Sequence, residues 1–210
     1  MSPACSDNPD DSKKLTDAEL LTQFAAGDEA AFREIVDRYK NGLYAFLGKF
    51  LNRHDLVEDV FQETFLQLFS SRESFDMNRP LRPWLFTIAA NKAKDALRKW
   101  RRTSAVPIGT MADSQELSFD DMLNTVASDS TLPSDELLKS ETASLVGQII
   151  SGMPDNLREI LLLSYFQRFS YKQMAEILGI PIGTVKSRLH TAVGRFAKDW
   201  KESVGSKEVK

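Results

Sequence analysis

Residues 169–196 read FSYKQMAEILGIPIGTVKSRLHTAVGRF, and this stretch spells out a helix, a tight corner and a second helix. Ser170 and Gln173 form an S-x-x-Q capping box, in which each side chain satisfies a backbone donor at a helix start. Phe169 before the cap and Met174 after it are spaced as a hydrophobic staple. Gly179 stands where the first helix must stop, because the left-handed terminal conformation strains any residue with a Cβ. Pro181 follows, unable to prolong the old helix but suited to open a new one. Val185, Leu189, Val193 and Phe196 then recur at helical spacing as a stripe to be buried. The other side carries Thr184, Lys186, Ser187, Arg188, His190, Thr191 and Arg195, a polar row able to meet base edges and phosphates in a major groove. Two short helices with a corner are common packing, but here cap, staple, stop and basic face coincide, and Ala175, Gly179 and Val185 occupy the small, turn and core positions of DNA-binding helix-turn-helix units.

Outward from this unit, the 210-residue chain has room for one or two domains. Its 42% apolar content supports a packed core. No apolar run is long enough to cross a bilayer, so no membrane insertion is expected. The opening MSPACSDNPDDSKK has no basic start and no apolar core, which argues against an export signal. Residues 1–14 read as a disordered tail. Cys5 is the only cysteine, so no intramolecular disulfide can form. A cytoplasmic protein is expected.

The net charge of −3 argues against a general nucleic-acid coat. The distribution says more. Lys92, Lys94, Arg98, Lys99, Arg101 and Arg102 crowd one stretch, opposed only by Asp95. From Thr103 to Leu138 there is no Lys or Arg, while Asp113, Glu116, Asp120, Asp121, Asp129, Asp135 and Glu136 accumulate. This segregation suggests two nucleic-acid-facing modules on an acidic tether.

The first module runs over residues 15–102. Thr16 and Glu19 make a T-x-x-E capping box. Gly27 ends that helix and Asp28 caps the next, whose Phe32, Ile35, Val36, Tyr39, Leu43, Phe46 and Phe50 keep helical spacing. A third helix starts near His54–Asp55 with Val57, Phe61, Phe65 and Leu68 inward, and a fourth runs from about Trp84 to Arg102 after Pro80 and Pro83. Residues 103–133 read as a linker, with LSFDDML as one possible short helix. About thirty residues can stretch to roughly 100 Å but average near 30 Å as a coil. Residues 134–204 are helical again and end in the helix-turn-helix, before a short tail at 205–210. The expected class is all-α: two small helical domains on a flexible acidic linker.

Three segments in order, DLVEDVFQETFLQLF (55–69), RPWLFTIAANKAKDALRKWRR (82–102) and LSYFQRFSYKQMAEILGIPIGTVKSRLHTAV (163–193), resemble regions two and four of a bacterial sigma factor, and the short length resembles the extracytoplasmic-function group. The resemblance implies a non-catalytic subunit that brings core RNA polymerase to promoters and helps open the duplex. It implies that Asp55, Glu58, Asp59, Gln62 and Glu63 bind the polymerase clamp, an acidic-amide face that suits a basic partner. It implies that the loop 70–83 and the fourth helix recognise and melt the downstream promoter element. Phe75, Asn78, Arg79 and Arg82 could hold an unstacked base, and Asn91, Lys92, Lys94, Arg98 and Lys99 could follow phosphates. About five neutralised phosphates give a log–log salt slope near −4. Trp84, Leu85 and Ile88 read as core, and Trp100 as either core or a stacking surface. Many relatives carry arginine where this chain has Thr87, so contacts made there do not transfer.

For the helix-turn-helix the resemblance implies reading of the upstream element, led by Arg188 and Lys186. Contact with the polymerase flap and control by an anti-sigma factor are also implied. Two elements about two helical turns apart lie roughly 70 Å from each other, a span the linker meets only when stretched. A free-standing helix-turn-helix regulator is the alternative; it leaves the basic 92–102 helix and the acidic face unexplained. An enzyme finds no support: neither His54 nor His190 belongs to a Glu-x-x-His pair, there is no glycine-rich phosphate loop, and no metal or cofactor is expected.

Overall fold

The computed structural model describes residues 15–72, 75–76, 79–104 and 133–205. All elements among them are helical: α1 (Asp17–Ala25), α2 (Glu29–Leu51), α3 (His54–Ser70), α4 (Leu81–Ser104), α5 (Pro133–Ser151), α6 (Asp155–Leu161), α7 (Tyr171–Leu178) and α8 (Ile182–Gly205). The short helix considered in LSFDDML lies outside the described residues.

The helix ends follow their local chemistry. Thr16 and Glu19 close the first capping box, with the Thr16 amide donating to Glu19 Oε2 at 2.7 Å. Asp28 Oδ1 accepts from the Ala30 amide at 2.8 Å and so caps α2. Ser170 and Gln173 form the second box, and Gly179 takes φ +64° at the corner. Helix α4 starts at Leu81, earlier than the spacing suggests. Pro83 sits in its first turn, where a missing N–H costs nothing.

Helix α2 is the spine. Ile35, Leu43, Phe46, Leu47 and Phe50 are fully buried along it, and it packs on α1, α3 and α4 on one side and on α5 and α6 on the other. The two halves therefore share one continuous apolar core, reaching from Leu20 to Ala192. Phe86 of α4 meets Phe169 edge-on at 5.0 Å between centroids, an arrangement aromatic rings favour. The two helical halves expected from the sequence are both present, and the structure packs them face to face.

Helix α6 widens into a π turn over Leu162–Phe166. The wide turn directs Tyr165 and Phe166 to the surface and Gln167 inward. Arg168, at φ +54°, then reverses the chain into the helix-turn-helix. On α8 the buried stripe is Val185, Leu189 and Ala192. Val193, expected inward, is 38% exposed, and the smaller Ala192 takes the core position.

Candidate nucleic-acid interface

The helix-turn-helix is positioned by α6 and by Phe169, which is buried beside Met174 and Ile177 in the shared core. On α8, Lys186, Ser187, His190, Thr191 and Arg195 are exposed, and Thr184 and Arg188 half-buried. Ser187 and Thr191 hydroxyls donate back to the helix carbonyls of Thr184 and Ser187, at 3.2 and 3.0 Å. That holds their oxygens outward as acceptors. Arg195 grips Asp199 through both carboxylate oxygens, at 3.0 and 2.8 Å, so its charge is already engaged. Arg188 leans towards α4 and lines a cleft with Lys94, Arg98, Arg101 and Arg102.

The basic row on α4 is likewise partnered. Lys92 Nζ lies 3.0 Å from Glu63 Oε2, Arg98 reaches Asp95 at 2.6 Å, and Arg101 binds both oxygens of Asp155 at 2.7 and 2.9 Å. Lys94 Nζ sits 3.2 Å from Glu159 Oε1. That oxygen has no aligned hydrogen bond, so the contact is an ion pair of poor geometry. Burial accordingly pushes the Glu159 carboxyl above its usual range, against the pull of Lys94. Arg101, by contrast, holds Asp155 below the usual carboxylate value. Trp100, read either way from sequence, lies under the Arg53 guanidinium, 4.7 Å from its centroid.

Beside the α3–α4 junction a cleft of ≈ 640 Å3 is lined by Phe75, Arg79, Trp84, Asn91 and Lys92, among others. Phe75 stands edge-on to Trp84 at 4.8 Å and is 9% exposed. Of the expected base-pocket residues, the cleft gathers Phe75 and Arg79, and it is joined by Asn91 and Lys92, expected along the phosphate path. Asn78 lies outside the described residues. Arg82 points elsewhere: it donates to the Gln167 carbonyl at 2.6 Å and stacks on Phe169 at 4.2 Å. Leu85 is core as expected, whereas Trp84 and Ile88 also wall the cleft. Their apolar spacing reads as packing, and only the fold shows one edge of each turned to solvent.

On α3, Asp55, Asp59, Gln62 and Glu63 are exposed. Glu58 is half-buried and accepts the Tyr44 hydroxyl at 2.8 Å, and together with burial it pushes that phenol up to about 12. Leu66, 64% exposed, continues the Asp55–Asp59–Gln62 face at helical spacing; a lone leucine in an apolar pattern gives no sign of this from sequence. A separate apolar groove on the second half is walled by Val146, Ile150, Tyr165, Phe166, Val193 and Phe196. Among the described residues no helix is long and apolar enough to cross a membrane, and no group of acidic, histidine or cysteine side chains is arranged to hold a metal.

Comparison with known proteins matches both halves. Residues 35–103 fit the Sigma-70 region 2 family and residues 144–195 the Sigma-70, region 4 family. The ECF RNA polymerase sigma factor SigW of Bacillus subtilis is 34% identical over 170 residues, 81% of this chain and 89% of the relative. The ECF RNA polymerase sigma-E factor of Haemophilus influenzae is 34% identical over 181 residues, 86% of this chain and 93% of its own. Among solved structures, the sigma factor RpoE of Bartonella quintana in complex with the anti-sigma factor NepR superposes with a TM-score of 0.61 at 26% identity, covering 81% of this chain and 96% of that one. CnrH, in complex with the cytosolic domain of CnrY, shares the fold with a TM-score of 0.61 at 22% identity, over 87% and 95% of the two chains. The chain belongs to the extracytoplasmic-function sigma factors, non-catalytic subunits that direct RNA polymerase to promoters.

Proposed function

We propose that this chain acts in the cytoplasm by docking on the clamp of core RNA polymerase through α3 and on its flap through the apolar groove of the second half. From there it presents two DNA-reading surfaces. In the α3–α4 cleft, Phe75 and Trp84 offer an aromatic wall to an unstacked base of the downstream element. Arg79, Asn91 and Lys92 supply the polar edge that reads or holds it. Lys94, Arg98 and Lys99 then follow the phosphates along α4. On α8, Arg188 and Lys186 contact guanine or phosphate in the upstream element, with Thr184, Ser187, His190, Thr191 and Arg195 around them.

The observation that carries this reading is the aromatic, polar-rimmed cleft beside the basic α4 on the same chain as a capped helix-turn-helix. A regulator that binds duplex DNA alone has no use for an aromatic cleft able to admit an unstacked base. The Bartonella quintana relative is bound by an anti-sigma factor, and we assign a comparable protein partner to this chain.

Transcription in vitro with core polymerase, this chain and a genomic template tests the proposal. The expected result is RNA starting at a defined set of sites, all dependent on the added chain. Failure of core polymerase to bind the chain, or tight specific DNA binding by the chain alone, would overturn it.

A further inference from the structure

Five cations line a single space of ≈ 570 Å3 where α4, α6 and α8 meet: Lys94, Arg98, Arg101 and Arg102 from α4, and Arg188 from α8. Asp155 and Glu159 of α6 are the carboxylates of that wall. They leave much of the charge unanswered. Asp155 is taken up by Arg101, at 2.7 and 2.9 Å. Glu159 is 3% exposed, and its Oε1 has no aligned hydrogen bond although Lys94 Nζ lies 3.2 Å away. Arg98 turns to Asp95 on its own helix in an exposed ion pair, of a kind that contributes little. Among the described residues, no carboxylate lies within ion-pair distance of Arg102 or Arg188. Like charges gathered in this way repel one another, and an anion entering the cleft relieves the repulsion.

Size and lining sort the anions. A duplex does not fit a space of this volume, which lies instead in the range of small-molecule sites. Each guanidinium offers a planar fork that matches phosphate oxygens two at a time. The forks come from two different helices, so one small phosphate cannot fill them all. A chain of linked phosphates presents oxygens along its length and can meet α4 and α8 together. Leu178 and Asn156 are the uncharged part of the wall, and among the described residues no aromatic ring lines it. There is no platform on which a base could stack, so recognition falls on the phosphates.

We propose that this cleft is a binding site for a chain of linked phosphates, held by the forks of Arg98 and Arg102 on α4 and of Arg188 on α8, with Lys94 as a further point charge. The site stands without reference to promoter DNA. On the reading given above, Lys94, Arg98 and Arg188 also serve promoter phosphates, and the bound chain then competes with the promoter for them.

Calorimetric titration of the full chain tests it, at an ionic strength of about 0.15 M. The probes are sodium tripolyphosphate, orthophosphate, ATP and GTP. Tripolyphosphate is expected to bind one to one, about tenfold or more tighter than orthophosphate. With no base platform, ATP and GTP should fall within about threefold of tripolyphosphate. Arg102→Gln and Arg188→Gln should each weaken tripolyphosphate about tenfold. Neither variant gives up an ion pair within the described residues, so far-UV circular dichroism and the melting temperature should hold. Arg33→Gln, which removes an exposed cation on α2 paired with Glu29, should bind as wild type does.

Orthophosphate bound as tightly as tripolyphosphate, wild-type affinity in both cleft variants, or an equal loss in Arg33→Gln would each overturn the site. A nucleotide favoured by more than about tenfold would overturn recognition through the phosphates alone. The titration contains neither polymerase nor DNA. A chain that starts transcription but binds no tripolyphosphate would therefore refute this site alone, and one that binds it but starts no transcription would refute the promoter-reading roles alone.

Discussion

Replacing Arg158 by methionine should unfasten the centre of the molecule. Arg158 is 8% exposed. Its Nη1 donates to the Phe50 carbonyl at 2.7 Å and its Nη2 to the Met153 carbonyl at 3.0 Å. Phe50 lies in the last turn of α2, where carbonyls have no partner in their own helix. Arg158 thus caps α2 from the other half of the chain, with its charge at the negative end of the helix dipole. Each charge-assisted bond contributes about 1.5–3 kcal/mol, or about 3–6 kcal/mol for both. Against this, the buried Nε has no hydrogen-bond partner, and its removal returns about 1–3 kcal/mol. Methionine also keeps most of the apolar contact. The net loss expected for Arg158→Met is about 2–4 kcal/mol. Urea unfolding followed by circular dichroism, compared at equal slope, measures it. Arg158→Lys should fall between the two, since one ammonium cannot serve two carbonyls with a fork's geometry. A loss below about 1 kcal/mol for the methionine variant would refute the cap.

Arg188→Ala should weaken upstream-element recognition by polymerase holoenzyme by about 1–3 kcal/mol if the contact is two-pronged to a base; promoter titrations that match wild type would remove Arg188 from the reading surface. The triple replacement of Glu58, Asp59 and Glu63 by alanine should reduce capture by core polymerase in a pull-down while far-UV circular dichroism holds. Full capture would take the clamp contact off this face. Glu159→Gln should stabilise the protein at neutral pH, because the buried carboxyl, raised by desolvation and by Asp155 and lowered by Lys94 and Arg188, costs stability once ionised. A raised folded-state value means the favourable term is present below the ordinary value of 4.5 and is lost as pH rises through the folded one. The gap between variant and wild type should therefore close as pH falls towards 4.5. Stability curves that run parallel across that range would contradict the assignment.

Local features are readable from sequence wherever a few neighbouring residues settle them. The two capping boxes, the Gly179 corner and the Asp28 cap each depend on residues no more than four apart, and all appear where spacing places them. The packing between the two halves is different. Arg158, Gln167 and Arg82 look like ordinary polar positions, because their partners lie 108, 125 and 85 residues away. Arg82 shows the consequence: placed with the base pocket by the resemblance of the 70–83 loop, it lies in the structure against Phe169 and the Gln167 carbonyl. Val193 makes the same point within one helix. Hydropathy favours valine over its neighbour for the core, yet where α6 packs on α8 it is Ala192 that faces inward.

The pairing of the α4 cations changes what DNA binding by this chain can be. Lys92, Lys94, Arg98 and Arg101 each have a carboxylate within 4 Å. A phosphate reaching any of them must displace an acid already in place, so the attraction left over for arbitrary DNA is small. Counterion release from five new contacts would give a salt slope near −4, but exchange of one internal anion for one phosphate releases fewer ions than contact by a free cation. The slope for the wild-type chain should therefore be shallower than that figure, and steepen in Asp155→Ala, where Arg101 loses its carboxylate partner. Fluorescence anisotropy on a labelled duplex, at several salt concentrations for wild type and for Asp155→Ala, compares the two. Equal slopes would mean that the acids do not compete with DNA, and that the net charge of −3, rather than its placement, governs how weakly the free chain binds.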